Sequence, residues 1–373
     1  MRVGTPTETM TAERRVGLTP STVMELTAHG HEVLVQRGAG DGVGATDEQY
    51  AAAGAQLVDT AAEVFEAELI VKVKEPLAPE RAMLGPQHIL FAYLHLAPDP
   101  EQTDDLVASG AACIAYETVT DDDGRLPLLA PMSKVAGRMS IQAGAHCLES
   151  AQGGAGILLG GVPGVAPAEV AVIGGGVVGE NAIQMGVGLG AHVTVLDKSP
   201  TVLDRLDARF GSAITAVHST RASLDHHVVH SDLVIGAVLV PGARAPHLVT
   251  ADMVRRMRPG SVMVDVAIDQ GGCFETSRPT THDDPTYVVD GVLHYCVANM
   301  PGAVARTSTH ALNNVTLPHV LALADLGLEG ALAADPHLRR GLNVLDGQIT
   351  EPAVAEALSR PHVPAEDALR ARG

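Results

Sequence analysis

The stretch "VAVIGGGVVGENAIQMGVGLGAHVTVLD" (170–197) restricts the fold of this chain more than any other. An apolar run that reads as a buried strand leads into Gly174, Gly176 and Gly179, which open a helical segment. A second apolar run then ends in Asp197, 18 residues beyond Gly179. A bare G-x-G-x-x-G is weak, but between a strand and a helix, with an acidic residue closing the next strand, it is a dinucleotide-binding fingerprint. Gly174 permits the tight turn, Gly176 leaves room for a pyrophosphate at the helix N-terminus, and Gly179 lets helix and strand pack closely. Val177 and Val178 begin that helix and join the glycines as cofactor contacts. Asp197 accepts from a ribose 2′-hydroxyl and repels a 2′-phosphate, which selects NAD over NADP, although Lys198 beside it weakens the exclusion.

The rest of the chain alternates in the same way. From 1 to about 128, β-like pieces (RVG, "HEVLVQ", "LIVKVK", "HILFAYL", "ACIAYET") alternate with helix-like ones, the first capped at Thr19. "PMSKVAGRMSIQAGAHCLESA" (131–151) reads as a long helix with Ser133 as N-cap and anion contact. A second series follows a Gly/Pro-rich linker, through "EVAVIG", "HVTVLD", "SDLVIGAVL", "SVMVDVAI" and "LHYCVAN". Another long helix begins near 307, and the remainder, 330–373, reads as helical and too short for a core of its own. The expected fold is therefore α/β: two Rossmann-like doubly wound domains linked by long helices. Residues 129–306 form the NAD domain, and 1–128 with 307–373 form a discontinuous second domain.

With 373 residues, two domains are also what size predicts. A net charge of −19 and an aromatic share of 2% oppose binding to nucleic acid or an anionic membrane. The apolar tracts that stand out, such as "LVIGAVLVPG", are short and broken by Gly and Pro, so no membrane span or signal peptide is expected. Cys113, Cys147, Cys273 and Cys296 are scattered without ligand-like spacing and read as reduced thiols of a cytoplasmic protein, with no metal. His226, His227 and His230 read as surface histidines.

Polar groups at strand ends mark the candidate site. In "VKVKEP" (71–76) Lys72 and Lys74 share a face; Lys72 reads as snorkelling at a sheet rim, whereas Lys74 stands where a parallel sheet presents ligand-binding groups. "HILFAYLHLAPDP" is apolar until His95, a residue suited to proton transfer near neutral pH. "SVMVDVAIDQGG" runs through Asp265, which reads as a turn cap, to Asp269 at a carboxyl strand end of the NAD domain. Arg14 and Arg15 in "TAERRVGLTP" offer a guanidinium for a carboxylate.

Together with "PMSKVAGRMS" (131–140), "VLVPGARAP" (238–246), "VDVAIDQGGCFETSRPTTH" (264–282) and "GVLHYCVANMPGAVARTST" (291–309), these stretches resemble the bacterial L-alanine dehydrogenases, a family that also holds the NAD-binding subunit of proton-translocating transhydrogenase. The resemblance runs in order over nearly the whole chain. It implies that Arg15 and Lys74 hold the substrate carboxylate and carbonyl, with Arg14 left open as an alternative. It implies His95 as general acid/base, Asp269 as its partner and Asn299 as a substrate-side amide. It adds Ser133, Leu239 and Val240 to the cofactor contacts. The implied reaction is NAD-dependent, reversible oxidative deamination of L-alanine to pyruvate and ammonium, in a homo-hexamer built from dimers packed through the long helices near 131–151 and 307–325. The alternatives are a reductase of another small 2-oxo acid such as glyoxylate, and a non-catalytic NAD-binding subunit of a transhydrogenase.

Overall fold

The computed structural model describes residues 1–238 and 245–372. The chain lays down β1 (Arg2–Thr5), β2 (Glu32–Gln36), β3 (Gln56–Val58), β4 (Leu69–Val71), β5 (Ile89–Ala92) and β6 (Ala112–Ala115). It continues with β7 (Glu169–Ile173), β8 (His192–Asp197), β9 (Ile214–His218), β10 (Leu233–Gly236), β11 (Val262–Asp265), β12 (Thr286–Val289) and β13 (Val292–Tyr295). It closes with β14 (Leu342–Leu345) and β15 (Gln348–Ile349). Two compact units result, one of residues 1–131 and 304–373, the other of residues 132–303.

In the first unit an eight-stranded sheet runs β15-β14-β6-β5-β4-β1-β2-β3, parallel from β6 to β3. The chain winds one way from β1 through β3 and the other way from β4 through β6, so the order reverses between β1 and β4. At such a point the loops diverge and leave a crevice beyond the carboxyl ends of the strands. β4, β5 and β6 are buried along their whole length, as expected of strands covered on both faces.

The helix Ala305–Ala334 belongs to this unit and crosses its core with Leu312, Val320 and Leu323 buried. By length and composition the stretch Met300–Ala334 is apolar enough to cross a membrane, although no span is expected from the sequence. Its buried polar residues have partners inside the unit. Asn313 Oδ1 accepts from the Thr19 amide (2.9 Å) and the Thr22 hydroxyl (2.8 Å), and Thr309 accepts from Val16 N–H (3.3 Å). The helix thereby fixes the segment that carries Arg15.

The second unit has the order β12-β13-β11-β10-β7-β8-β9, parallel except for β12, with its reversal between β7 and β10. This is the Rossmann winding with one antiparallel strand added at the edge.

Three sequence expectations are corrected. Residues 330–373 are not wholly helical: β14 pairs antiparallel with β6 and turns through Asp346-Gly347 (φ 47° and 80°) into β15. Both residues at positive φ is the two-residue hairpin geometry for which Asp-Gly is favoured. Ser133 is not an N-cap, because the helix already begins at Ala130 and runs to Cys147, which puts Ser133 in its first turn. Lys72 does not snorkel: it is 0% exposed.

Candidate active site

In the second unit, Gly174 takes φ 98° at the end of β7, and a Cβ there would lie 2.7 Å from the Ala237 carbonyl beyond β10. A Cβ on Gly179 would strike the Gly174 carbonyl, whereas one on Gly176 would meet nothing within 4 Å. Close packing thus requires Gly179, while the space over Gly176 is open. The helix Val177–Gly188 starts at Gly176 with no side-chain cap, so its first N–H groups are left for an anion. Val177 is exposed and Val178 half-buried. Asp197 ends β8 and is held by two amides, Gly175 N–H to Oδ2 (2.7 Å) and Ser199 N–H to Oδ1 (2.8 Å). Beside it opens a cavity of about 840 Å³ lined by Lys198, Thr220, Arg221, His247 and Met253, among others. An open glycine at an uncapped helix start and a tethered acid one strand away fit a dinucleotide. Leu239 and Val240 lie outside the described residues.

Asp269 is exposed in the short helical turn after β11. Asn299 follows β13, and its N–H donates to Asp269 Oδ1 at 3.2 Å. His282 Nε2 stands 3.2 Å from the Asn299 carbonyl, a neighbour the sequence reading passed over although its motif ends on it. The loop carrying Asp269 is tied by buried Asp265, which accepts from the amides of Ala267 (3.1 Å), Cys273 (2.9 Å) and Phe274 (3.3 Å) and from Ser277 Oγ (2.5 Å). Burial pushes the Asp265 carboxyl above the usual range against the pull of these donors. Asp265 does cap a turn, as the sequence implies, and it also organises the whole loop.

In the first unit the groups gather beyond β1, β4 and β5. Lys72 Nζ bonds Glu8 Oε2 (3.1 Å) and Glu80 Oε1 (2.8 Å). Burial alone would lower the lysine, but the two carboxylates outweigh it and hold the ammonium above its ordinary value. One ammonium cannot neutralise two buried carboxylates, and burial carries Glu8 upward. Glu8 Oε1 also accepts from Val73 N–H (2.6 Å), just past the end of β4 at Val71, where Lys72 N–H and the Val73 carbonyl still pair with Phe91 and Tyr93. Lys74 is half-buried at that point, its Nζ 3.6 Å from Glu75 Oε2. That oxygen is buried and has no hydrogen-bond partner among the described residues.

Arg15 is buried and Arg14 exposed. Glu13 grips Arg15 through two parallel bonds, Nε to Oε1 (2.7 Å) and Nη2 to Oε2 (2.5 Å), which sets the guanidinium plane. Burial, the first influence on Arg15, is outweighed by this pairing, which keeps it charged. Arg14 and Arg15 both border a cavity of about 280 Å³ with Glu8 and Asp41; Lys74 and His95 do not line it.

His95 is exposed and adopts φ 49°, an uncommon conformation for a non-glycine residue. Glu117 supports it by accepting from the amides of Leu94 (3.1 Å) and His95 (2.6 Å). The imidazole stacks on Tyr93 at 5.9 Å, and Tyr93 donates to the Leu128 carbonyl (2.7 Å). Burial pushes the Tyr93 phenol up, partly offset by Arg15. Tyr93 thus stacks on the imidazole and feels the charge of the Arg15 guanidinium. Glu117 was missed because it lies 22 residues from His95. The "AERR" stretch did put Glu13 next to the arginines.

One unit built around a glycine-lined turn and another presenting Arg, Lys and His at its own switch point is the construction of two-domain dehydrogenases. Comparison with known proteins narrows this. Residues 4–136 match the family described as "Alanine dehydrogenase/PNT, N-terminal domain" and residues 140–352 "Alanine dehydrogenase/PNT, C-terminal domain". The chain belongs to this family. It is 62% identical to "Alanine dehydrogenase" of Halomonas elongata over 98% of this chain and 99% of that one, and 55% identical to that of Mycolicibacterium smegmatis over 99% and 100%. Among solved structures it is similar to "L-alanine dehydrogenase" (TM-score 0.94, 51% identity, 96% and 99% coverage). It is also similar to a transhydrogenase from Sinorhizobium meliloti (TM-score 0.80, 25% identity, 95% and 100% coverage).

Proposed function

We propose that this protein catalyses the NAD-dependent, reversible oxidative deamination of L-alanine to pyruvate and ammonium. The observation that carries the reading is identity of 50–62% with relatives called alanine dehydrogenase, end to end, in a chain that keeps every ionisable group the chemistry needs. Gly174, Gly176 and Gly179 would hold NAD, with Asp197 on the ribose hydroxyls and Ser133, Val177, Val178, Leu239 and Val240 as further contacts, and the cofactor would supply hydride chemistry at the substrate α-carbon. Arg15, its plane set by Glu13, binds the carboxylate, and Lys74 binds the carbonyl oxygen. Arg15 is preferred to Arg14 because its orientation is fixed. His95 moves the proton as water adds to the substrate imine, and Asp269, with Asn299 beside it, orients the water. The substrates are small molecules, the working compartment is the cytoplasm, and the assembly is a homo-hexamer.

The test is NADH oxidation by the purified chain with pyruvate and ammonium, repeated without ammonium, with glyoxylate, and with NADPH. Ammonium-dependent turnover with NADH and pyruvate is expected, reduced about 10²–10⁴-fold in His95→Ala. Ammonium-independent reduction of glyoxylate would favour the 2-oxo-acid reductase. Tight NADH binding without any turnover would favour the transhydrogenase-subunit reading. Light scattering that returns the mass of a single chain would overturn the hexamer.

A further inference from the structure

A second cluster of ligating side chains lies apart from the groups described above. The helix Pro20–Ala28 is followed by the turn His29-Gly30-His31, which leads into β2. Both imidazoles point at Asp325, which stands two residues before Gly327, where the helix Ala305–Ala334 departs from helical geometry (φ 70°, ψ 176°). His29 Nδ1 is 3.2 Å from Asp325 Oδ1 and 3.0 Å from Oδ2, and His31 Nε2 is 2.8 Å from Oδ1. The three ligand atoms all fall within 4.8 Å of one another. Tetrahedral zinc with bonds near 2.0–2.1 Å needs ligand atoms about 3.3–3.4 Å apart, so each imidazole has only to draw back from Asp325 by a few tenths of an ångström, with the two ring nitrogens already within 4.8 Å of each other.

We propose that His29, His31 and Asp325 form a site for a zinc-class divalent cation that clasps the residue 29–31 turn to the long helix at its break. Two imidazoles and one carboxylate select zinc, nickel or copper over magnesium or calcium, which prefer all-oxygen sites. Three protein ligands leave the fourth tetrahedral position to water. Each ring already turns toward Asp325 the nitrogen a metal would take, and a neutral imidazole frees it by changing tautomer. The other nitrogen of His31, Nδ1, lies 3.4 Å from the Met1 amine.

The experiment uses untagged, chelator-treated full-length protein titrated with Zn²⁺ against a chromophoric indicator at about pH 8, alongside His29→Ala and Asp325→Asn. His29 is exposed, and its removal leaves the His31–Asp325 contact in place, so that variant should fold; circular dichroism checks it. The expected result is one zinc equivalent per chain in the wild type that is weakened roughly tenfold or more in both variants. In parallel, Zn²⁺ at about a hundredfold excess over Kd should raise Tm by several degrees in the wild type and not in His29→Ala. Equal zinc binding by wild type and variants, or none by any of them, overturns the site.

Discussion

At the scale of the residue, two lysines two positions apart have opposite duties. Lys72 is the only cation bonded to the buried Glu8 and Glu80 carboxylates in the described contacts, and Lys72→Met leaves both uncompensated. The expected loss is about 3–5 kcal/mol in urea unfolding at pH 7, shrinking in acid as the carboxylates protonate. Lys74→Met should cost about 1 kcal/mol or less but raise KM for pyruvate; similar stability losses for both would refute the division of roles. From sequence, Lys72 looked like a rim residue because its partners lie 64 and 8 positions away, and nothing local announces them. Lys74 and His95 stand out in the sequence because each ends an apolar run, whereas Arg15 is marked beside Arg14 only as an available guanidinium whose role the family resemblance implies. Asp265 offers a test by pH. Its folded pKa is raised, so the stability it contributes is complete below the ordinary carboxylate value near 4 and is lost as pH climbs through the raised value. The stability gap between wild type and Asp265→Asn, followed by urea midpoints from pH 4 to 7, should narrow as pH rises; a widening gap contradicts this.

At the scale of the element, the glycines of the turn after β7 separate packing from binding. Gly179→Ala drives a methyl into the Gly174 carbonyl and should lower Tm markedly, whereas Gly176→Ala projects into open space and should leave Tm nearly unchanged while weakening NADH binding, read by fluorescence quenching. Equal effects on Tm would mean that the space over Gly176 is not reserved for a ligand. This turn was legible because strand, glycines, helix and acid are contiguous. The antiparallel additions were legible in principle: "VVDGVLHY" holds an Asp-Gly pair between apolar residues and "NVLDGQIT" one after an apolar run, with Asp290-Gly291 and Asp346-Gly347 at positive φ. The second lies in a stretch whose helical neighbours hide it. The hold of the Glu8 carboxylate on the Val73 amide could not be foreseen, since the two lie 65 positions apart.

At the scale of the whole molecule, the second unit is one continuous segment and the first is made from both ends of the chain. A fragment of residues 132–303 should unfold cooperatively and bind NADH, while 1–131 alone should not fold, lacking the long helix and β14. A cooperative melt from 1–131 would show those pieces to be dispensable. The split also sets an order of events during synthesis. After β6 emerges from the ribosome, about 170 residues of the second unit must follow before the first unit's closing pieces appear. At roughly 5–20 residues per second that is a wait of about 10–35 s. Throughout it, the apolar β6 presents an open edge where β14 will later pair, and an open edge is a template for another chain. The newborn protein is therefore prone to aggregate from the emergence of β6 until β14 arrives to cover it.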